Sequence, residues 1–219
     1  MDCVREDLSS DGASVAIDSV LLARAAKLSS ATLHEAAKRR GALPSRIRPL
    51  HPAMRLCGLA LPVRSPAGDN LWLHRALVEA QPGQVLVVDV GDGVEFGYWG
   101  EVMATAALAR GLAGLVISGG VRDSLRLIEL GLPTFSGCVS IRGTGKDPAG
   151  DGAVGAPIRL GEVVVRTGDL VFGDADGVVC LAPEVAAWAV PAGEQRDASE
   201  VEILGRIRQG ATTLDVYQL

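Results

Sequence analysis

Two short apolar runs, VLVVDV at 85–90 and GLVIS at 114–118, flank a stretch of strong helix formers, EVMATAALAR at 101–110. Runs of that length bounded by glycine read as buried strands, and the stretch between them as a helix closed by Gly111. Strand, helix, strand is a βαβ unit, which calls for parallel strands and a right-handed crossover. A parallel sheet needs cover on both faces, so this unit alone commits the chain to an α/β architecture.

The rest of the chain is read around that unit. Residues 14–28 and 29–40 have helical periodicity. Ser30 is the expected cap of the second helix, and Gly41 with Pro44 its end. Residues 56–63 read as a strand and 70–80 as a helix stopped by Pro82-Gly83. GDGVEFGYWG at 91–100 reads as a glycine-rich loop, GGVRD at 119–123 as a second loop, and SLRLIELG at 124–131 as a helix. Beyond Pro133 strands dominate, at 134–141, 158–166, 170–172 and 178–181. A helix over 184–209 follows, with irregularity expected at Pro191. No linker divides the 219 residues, so one domain is expected, with residues 1–24 as an extension and first helix and 184–219 as a helical C-terminal region.

Charge and composition exclude several classes. The net charge of −5 comes without a basic stripe, which argues against nucleic acid as a partner. No apolar run approaches a membrane span, and Asp2, Glu6 and Asp7 break the order of a signal peptide. Cys3, Cys57, Cys138 and Cys180 are too scattered for a disulfide framework or a zinc knuckle, so reduced thiols and a cytoplasmic location are expected. Asp174 and Asp176 flank a turn, where carboxylates commonly bond the local backbone. Ser136 and Ser140 have no histidine at a triad spacing. VVDVGDGVEFG resembles the glycine-rich turn of methyltransferases, but the next glycine and the acid closing a second strand are missing, so it reads as a substrate loop.

Chemistry concentrates at the two loops after the parallel strands. Both leave carboxyl ends of strands and therefore share one edge of the sheet, the edge at which open α/β sheets bind ligands. Glu101, Arg122 and Asp123 converge there although twenty residues separate Glu101 from Arg122. Gly119 and Gly120 are read as allowing close approach to a ligand. One Asp with solvent suits magnesium or manganese, which keep waters and borrow substrate oxygens. Arg122 offers a planar fork for a carboxylate or an enolate oxygen, and the amides of Val102 and Met103 open a helix, where an anion is welcome. His74, on helix 70–80, is a candidate for a distal carboxylate of the ligand.

Gly100-Glu101, then twenty residues, then Arg122-Asp123 resembles the acidic-x20-Arg-Asp signature of the 4-hydroxy-4-methyl-2-oxoglutarate/4-carboxy-4-hydroxy-2-oxoadipate aldolases, in the RraA-like family. PAGDNLWLHRAL (66–77), GQVLVVDV (83–90), GLPTFSGCVSIRG (131–143) and GDLVFGDADGVVCLAP (168–183) extend the resemblance over roughly 25–219. It implies a swivelling β/β/α domain, a layered sandwich with a parallel βαβ core and a β-rich second half. It also implies a class II pyruvate aldolase, assembled as a homotrimer or hexamer with active sites at subunit boundaries. By the same resemblance Asp123 holds the metal and Glu101 holds water beside it. Arg122 contacts the pyruvate unit, and Gly100, Val102 and Met103 receive its carboxylate. Glu200 is the nearest match to an acid supplied by a neighbouring subunit.

The expected activity is cleavage of a 4-hydroxy-2-oxo acid to pyruvate and a second carbonyl compound, with oxaloacetate decarboxylation alongside. Two rivals stand beside it. One is a non-catalytic regulator that binds RNase E; such regulators resemble this chain but lack the Asp after the Arg. The other is a metal-enolate lyase for an unrelated keto acid. Ser118, where many relatives carry Asp, and Glu101, where some aldolases carry Asp, bear on the substrate rather than on the Arg-Asp pair.

Overall fold

A computed structural model describes residues 16–219. Cys3, the N-terminal acids and the first residues of the 14–28 helix lie outside the described residues. The two apolar runs are neighbouring parallel strands, as the βαβ reading requires. β3 (Gln84–Asp89) pairs with β5 (Gly114–Val121), and β2 (Leu56–Arg64) and β6 (Thr134–Val139) flank them, also parallel. Antiparallel strands extend this core: β1 (Arg48–Pro49) beyond β6, then β10 (Leu170–Asp174) and β11 (Gly177–Leu181) beyond β2. The sheet order is β1-β6-β5-β3-β2-β10-β11, with short β4 (Gly97–Trp99) on β5 and β7 (Ala153–Val154) on β2.

Alternation along the strands explains the continuous apolar runs. Leu86 and Val88 of β3 face one cluster with Leu115 and Ile117 of β5, under helices α3 (Leu71–Glu79), α4 (Glu101–Ala109) and α5 (Ser124–Leu130). Val85, Val87 and Val116 face the other side. There Ile158, Leu160 and Val165 cover them, from the hairpin of β8 (Ile158–Leu160) and β9 (Val163–Val165). Both faces are dry, so neither needs a polar alternate residue. A third cluster packs α1 (Ser19–Ala25), α2 (Ser30–Ala36) and the first half of α6 (Pro183–Arg208) on β10 and β11. α7 (Thr213–Tyr217) ends the chain behind a Thr212–Asp215 capping box. Among the described residues no helix is long and apolar enough to cross a membrane.

Several local expectations need correction. Ser29, not Ser30, caps α2 by accepting from the Thr32 amide. Ser30 instead binds the buried Asp174 through its amide and its hydroxyl, at 2.8 and 2.6 Å. The 158–166 strand is a hairpin, turned at Gly161. The 91–100 loop contains β4, and β5 runs on through Gly119 and Gly120 to Val121. α6 passes Pro191 unbroken.

α2 ends sooner than its periodicity suggests, because Lys38 and Arg39 both adopt left-handed backbone angles, φ 56° and 60°. Their amides then close the helix on Glu35 and His34 carbonyls. A non-glycine residue pays for that conformation, and the exposed Arg39–Glu35 pair at 3.4 Å returns little. Arg39→Gly should therefore stabilise the protein by roughly 0.5–1 kcal/mol. Urea unfolding checks it, and a lowered midpoint would contradict it.

Candidate active site

The site is built where β4 and β5 end side by side. Arg122 follows β5, and its amide donates to Trp99 O at 2.8 Å, pinning the two strand ends together. Asp123 then turns left-handed, φ 56°, as the N-cap of α5. Its carboxylate does not cap its own helix. Oδ2 instead accepts from the Glu101 amide at 3.1 Å, in the first turn of α4. Gly100 is the N-cap of α4, and a Cβ there would collide with Asp123 Oδ2 and crowd the Arg122 side chain. Only glycine lets these two helix starts meet.

First-turn amides have no partner within a helix. Asp123 takes that of Glu101, which leaves those of Val102 and Met103 at the mouth of a cleft of about 190 Å³. Arg122, Asp123, Tyr98 and Asn70 line it with them. Tyr98 is fixed there, its hydroxyl donating to Gly93 O and accepting from the Gly68 amide, each at 2.7 Å. Burial raises its pKa above the ordinary phenol value. His74 and Lys146, near one another, complete the lining. Burial, then the nearby Lys146 charge, lowers the His74 pKa, so the imidazole is neutral at pH 7.

Lys146 reaches the cleft through a long-range clasp. Asp69 Oδ1 accepts from the Leu71 amide at 2.8 Å, and Oδ2 from the Asp147 amide. The Gly145 amide donates to Gly68 O at 2.7 Å, and the Asn70 amide to Gly145 O at 3.2 Å. These bonds lay the loop after β6 over the start of α3.

Gly100, Val102, Met103, Arg122, Asp123 and His74 thus come together as expected. Glu101 contributes its amide, while its side chain is exposed and does not line the cleft. Glu200 lies on α6, paired with Arg196 at 3.0 Å, and is no part of this cleft within one chain. Gly119 and Gly120 face packed protein rather than a ligand. A Cβ on Gly119 would stand 2.7 Å from Val90 Cγ2, and one on Gly120 2.7 Å from Phe96 O. Sequence reasoning missed Asn70, Tyr98 and Lys146. The available signal for the last was that it is one of three lysines in the chain, in a glycine-rich loop. A larger groove of about 540 Å³ runs between Arg46 and Arg142, but it includes neither the Arg-Asp pair nor a helix start.

Among the described residues no three His, Cys, Asp or Glu side chains converge. The one carboxylate among the described residues that lines this cleft is that of Asp123. So few protein oxygens fit a magnesium or manganese ion that keeps most of its water, and do not fit zinc.

The profile of the RraA-like family, described as Aldolase/RraA, matches residues 25–180. The chain belongs to the RraA-like family. Its match takes in β2 through β11 and the whole cleft, and leaves α6 and α7 outside. A Thermus thermophilus 4-hydroxy-4-methyl-2-oxoglutarate aldolase is 34% identical over 115 residues, 52% of this chain and 68% of that protein. A Halalkalibacterium halodurans protein provisionally given the same name is 36% identical over 139 residues, 64% of this chain and 65% of its own length. Matches to these curated relatives thus span about two thirds of their length. Among solved structures, the RraA-like RraAS2 of Streptomyces coelicolor, described as an unusual member of the RNase ES inhibitor RraA family, superposes with a TM-score of 0.72. It is 28% identical, covering 87% of this chain and 98% of that one.

Proposed function

We propose that this RraA-like chain cleaves 4-hydroxy-2-oxo acids that carry a second, distal carboxylate, releasing pyruvate. The observation that carries the reading is that one cleft gathers free helix amides, Arg122 with Asp123, and Lys146 with His74. A 2-oxo acid with a distal carboxylate presents a carboxylate, a keto oxygen and a second anion, one for each of these three sets of groups.

The carboxylate sits on the amides of Val102 and Met103, where the helix start favours an anion. The guanidinium of Arg122 donates to the keto oxygen. Lys146 and neutral His74 receive the distal carboxylate. A magnesium or manganese ion would be held by Asp123, with Glu101 holding its water, and would supply further positive charge for the enolate. The 4-hydroxyl proton passes to a base, for which the acids at hand are Glu101 and a neighbouring copy's Glu200. The C3–C4 bond then breaks, and its electron pair becomes the C2–C3 double bond of pyruvate enolate, while C4 leaves as a carbonyl. Protonation at C3 completes pyruvate. Oxaloacetate decarboxylation passes through the same enolate, so it is proposed as a second activity.

Assembly as a trimer or hexamer belongs to the same proposal. Beyond Gly193, α6 carries exposed Val201 and Leu204, and Leu214 follows on α7; burial against another copy would give these side chains a partner.

A panel of 2-oxo acids with magnesium or manganese, read by pyruvate release, tests the activity. Pyruvate is expected from 4-hydroxy-2-oxo dicarboxylates, and more slowly from a 4-hydroxy-2-oxo monocarboxylate that cannot engage Lys146. No pyruvate from any 4-hydroxy-2-oxo acid would end the aldolase reading.

A further inference from the structure

Asn70 is 6% exposed and lines the cleft, and its Oδ1 has no hydrogen-bond donor. The orientation of the amide is fixed by its other end. Nδ2 donates to Tyr98 O at 2.9 Å and lies 3.7 Å from Met103 Sδ. Turning the amide over would set Oδ1 against Tyr98 O, two acceptors face to face. Nor is Oδ1 drawn into capping, although Asn70 heads α3. The Leu71 amide bonds to Asp69 Oδ1, and no first-turn amide of α3 reaches Asn70 Oδ1. A buried acceptor in this state costs roughly 1–3 kcal/mol. Such atoms are uncommon, and for one on a residue that lines a binding cleft a ligand donor is the partner still available.

The chemistry of the ligand narrows the choice. In an ionised 4-hydroxy-2-oxo dicarboxylate both carboxylates and the keto oxygen only accept. The 4-hydroxyl is the one donor. We infer that Asn70 reads this hydroxyl: its carbonyl oxygen accepts the 4-hydroxyl hydrogen bond and so separates 4-hydroxy-2-oxo acids from 2-oxo acids that lack the group. The inference rests on the aldolase reading above and adds a specificity residue to it. An amide oxygen is no base, so the bond serves recognition, and the proton departs to a carboxylate. Once C4 has become a carbonyl the donor is gone and two oxygens face each other, which favours departure of the carbonyl product.

4-Hydroxy-2-oxoglutarate and 2-oxoglutarate have the same length and charge and differ by that hydroxyl. Calorimetric titration of the chelator-treated protein with each gives the ratio of affinities. The unaltered chain should prefer the hydroxy acid by about fivefold or more, the least that pairing a buried acceptor gives. Asn70→Leu, which keeps the shape and removes the acceptor, should bring the ratio close to one. Asn70→Asp, which keeps an acceptor, should weaken both acids and retain the preference. If Asn70→Leu does not fold, Asn70→Ala makes the same comparison. Equal binding of the two acids by the unaltered chain, or a preference that survives loss of the acceptor, would overturn the assignment. Binding of neither acid would overturn the assignment to Asn70, and the pyruvate panel then decides the aldolase reading by itself. A preference that depends on Asn70, with no pyruvate released in magnesium or manganese, would overturn the aldolase reading and leave Asn70 as a hydroxyl-reading residue.

Discussion

Asp123→Asn should fold as the unaltered chain does and lose its metal-supported turnover by at least about 10²-fold. Both halves of that result follow from the geometry. Asparagine tolerates the left-handed backbone that Asp123 occupies, and its carbonyl can still accept from the Glu101 amide. The join between α4 and α5 therefore survives. The negative charge does not, and with it goes the principal oxygen donor for a hard cation. Alanine would confuse the experiment by straining the backbone and freeing the α4 amide at once. The matching treatment of the unaltered protein is excess chelator, which should abolish pyruvate release until magnesium or manganese is restored. Melting curves and pyruvate release on the same preparations check both halves. Undiminished turnover in Asp123→Asn, or in excess chelator, would remove the metal-dependent assignment.

Arg122 carries the second large effect. Its side chain lies over two glycines: a Cβ on Gly97 would stand 3.1 Å from its Cβ, and one on Gly100 would stand 3.4 Å from its Nε. In the proposed complex that channel would hold a planar guanidinium for the keto oxygen. Arg122→Ala should cost about 10²–10³ in kcat, the usual scale for a lost charge-stabilising donor. Arg122→Lys keeps the charge and loses the fork, and should still cost about tenfold or more. Aldol cleavage and oxaloacetate decarboxylation should fall together, because they share the enolate. The loss should appear in kcat more than in KM, since the enolate charge develops only along the reaction. Steady-state kinetics on both substrates at saturating metal decide it. An unchanged kcat for Arg122→Lys on either substrate would refute the shared role.

The parts legible in the sequence were those set by local pattern. Val85–Val88 and Leu115–Ile117 are apolar without a break because both faces of the sheet are covered. The strand-end position of Arg122 and Asp123 followed from parallel pairing alone. The end of β5 was not legible. Gly119 and Gly120 look like a loop, but they are glycine because Val90, Tyr98 and Phe96 press on the strand. Asn70 and Lys146 escaped for a different reason. They meet only because Asp69 and Gly145 bridge segments more than seventy residues apart, and no periodicity records such a contact. Backbone position also says little about a long side chain, which is why Glu101 was expected in the cleft while its exposed side chain does not line it.

One connector has a bearing on how copies of this chain can meet. Residues 41–50 close both outer margins of the main sheet. Gly41 and Leu43 bond to Cys180 and Val178 of β11, and Arg48 to Leu50 run along β6. A Cβ at Gly41 would strike Cys180 O, so this seal depends on glycine. Pro49 presents no amide outward. An exposed strand margin is the usual template for adding foreign strands, the first step of many aggregates. With both margins occupied from within, strand-by-strand polymerisation is largely denied to this protein, and its copies are left to associate through helices and loops.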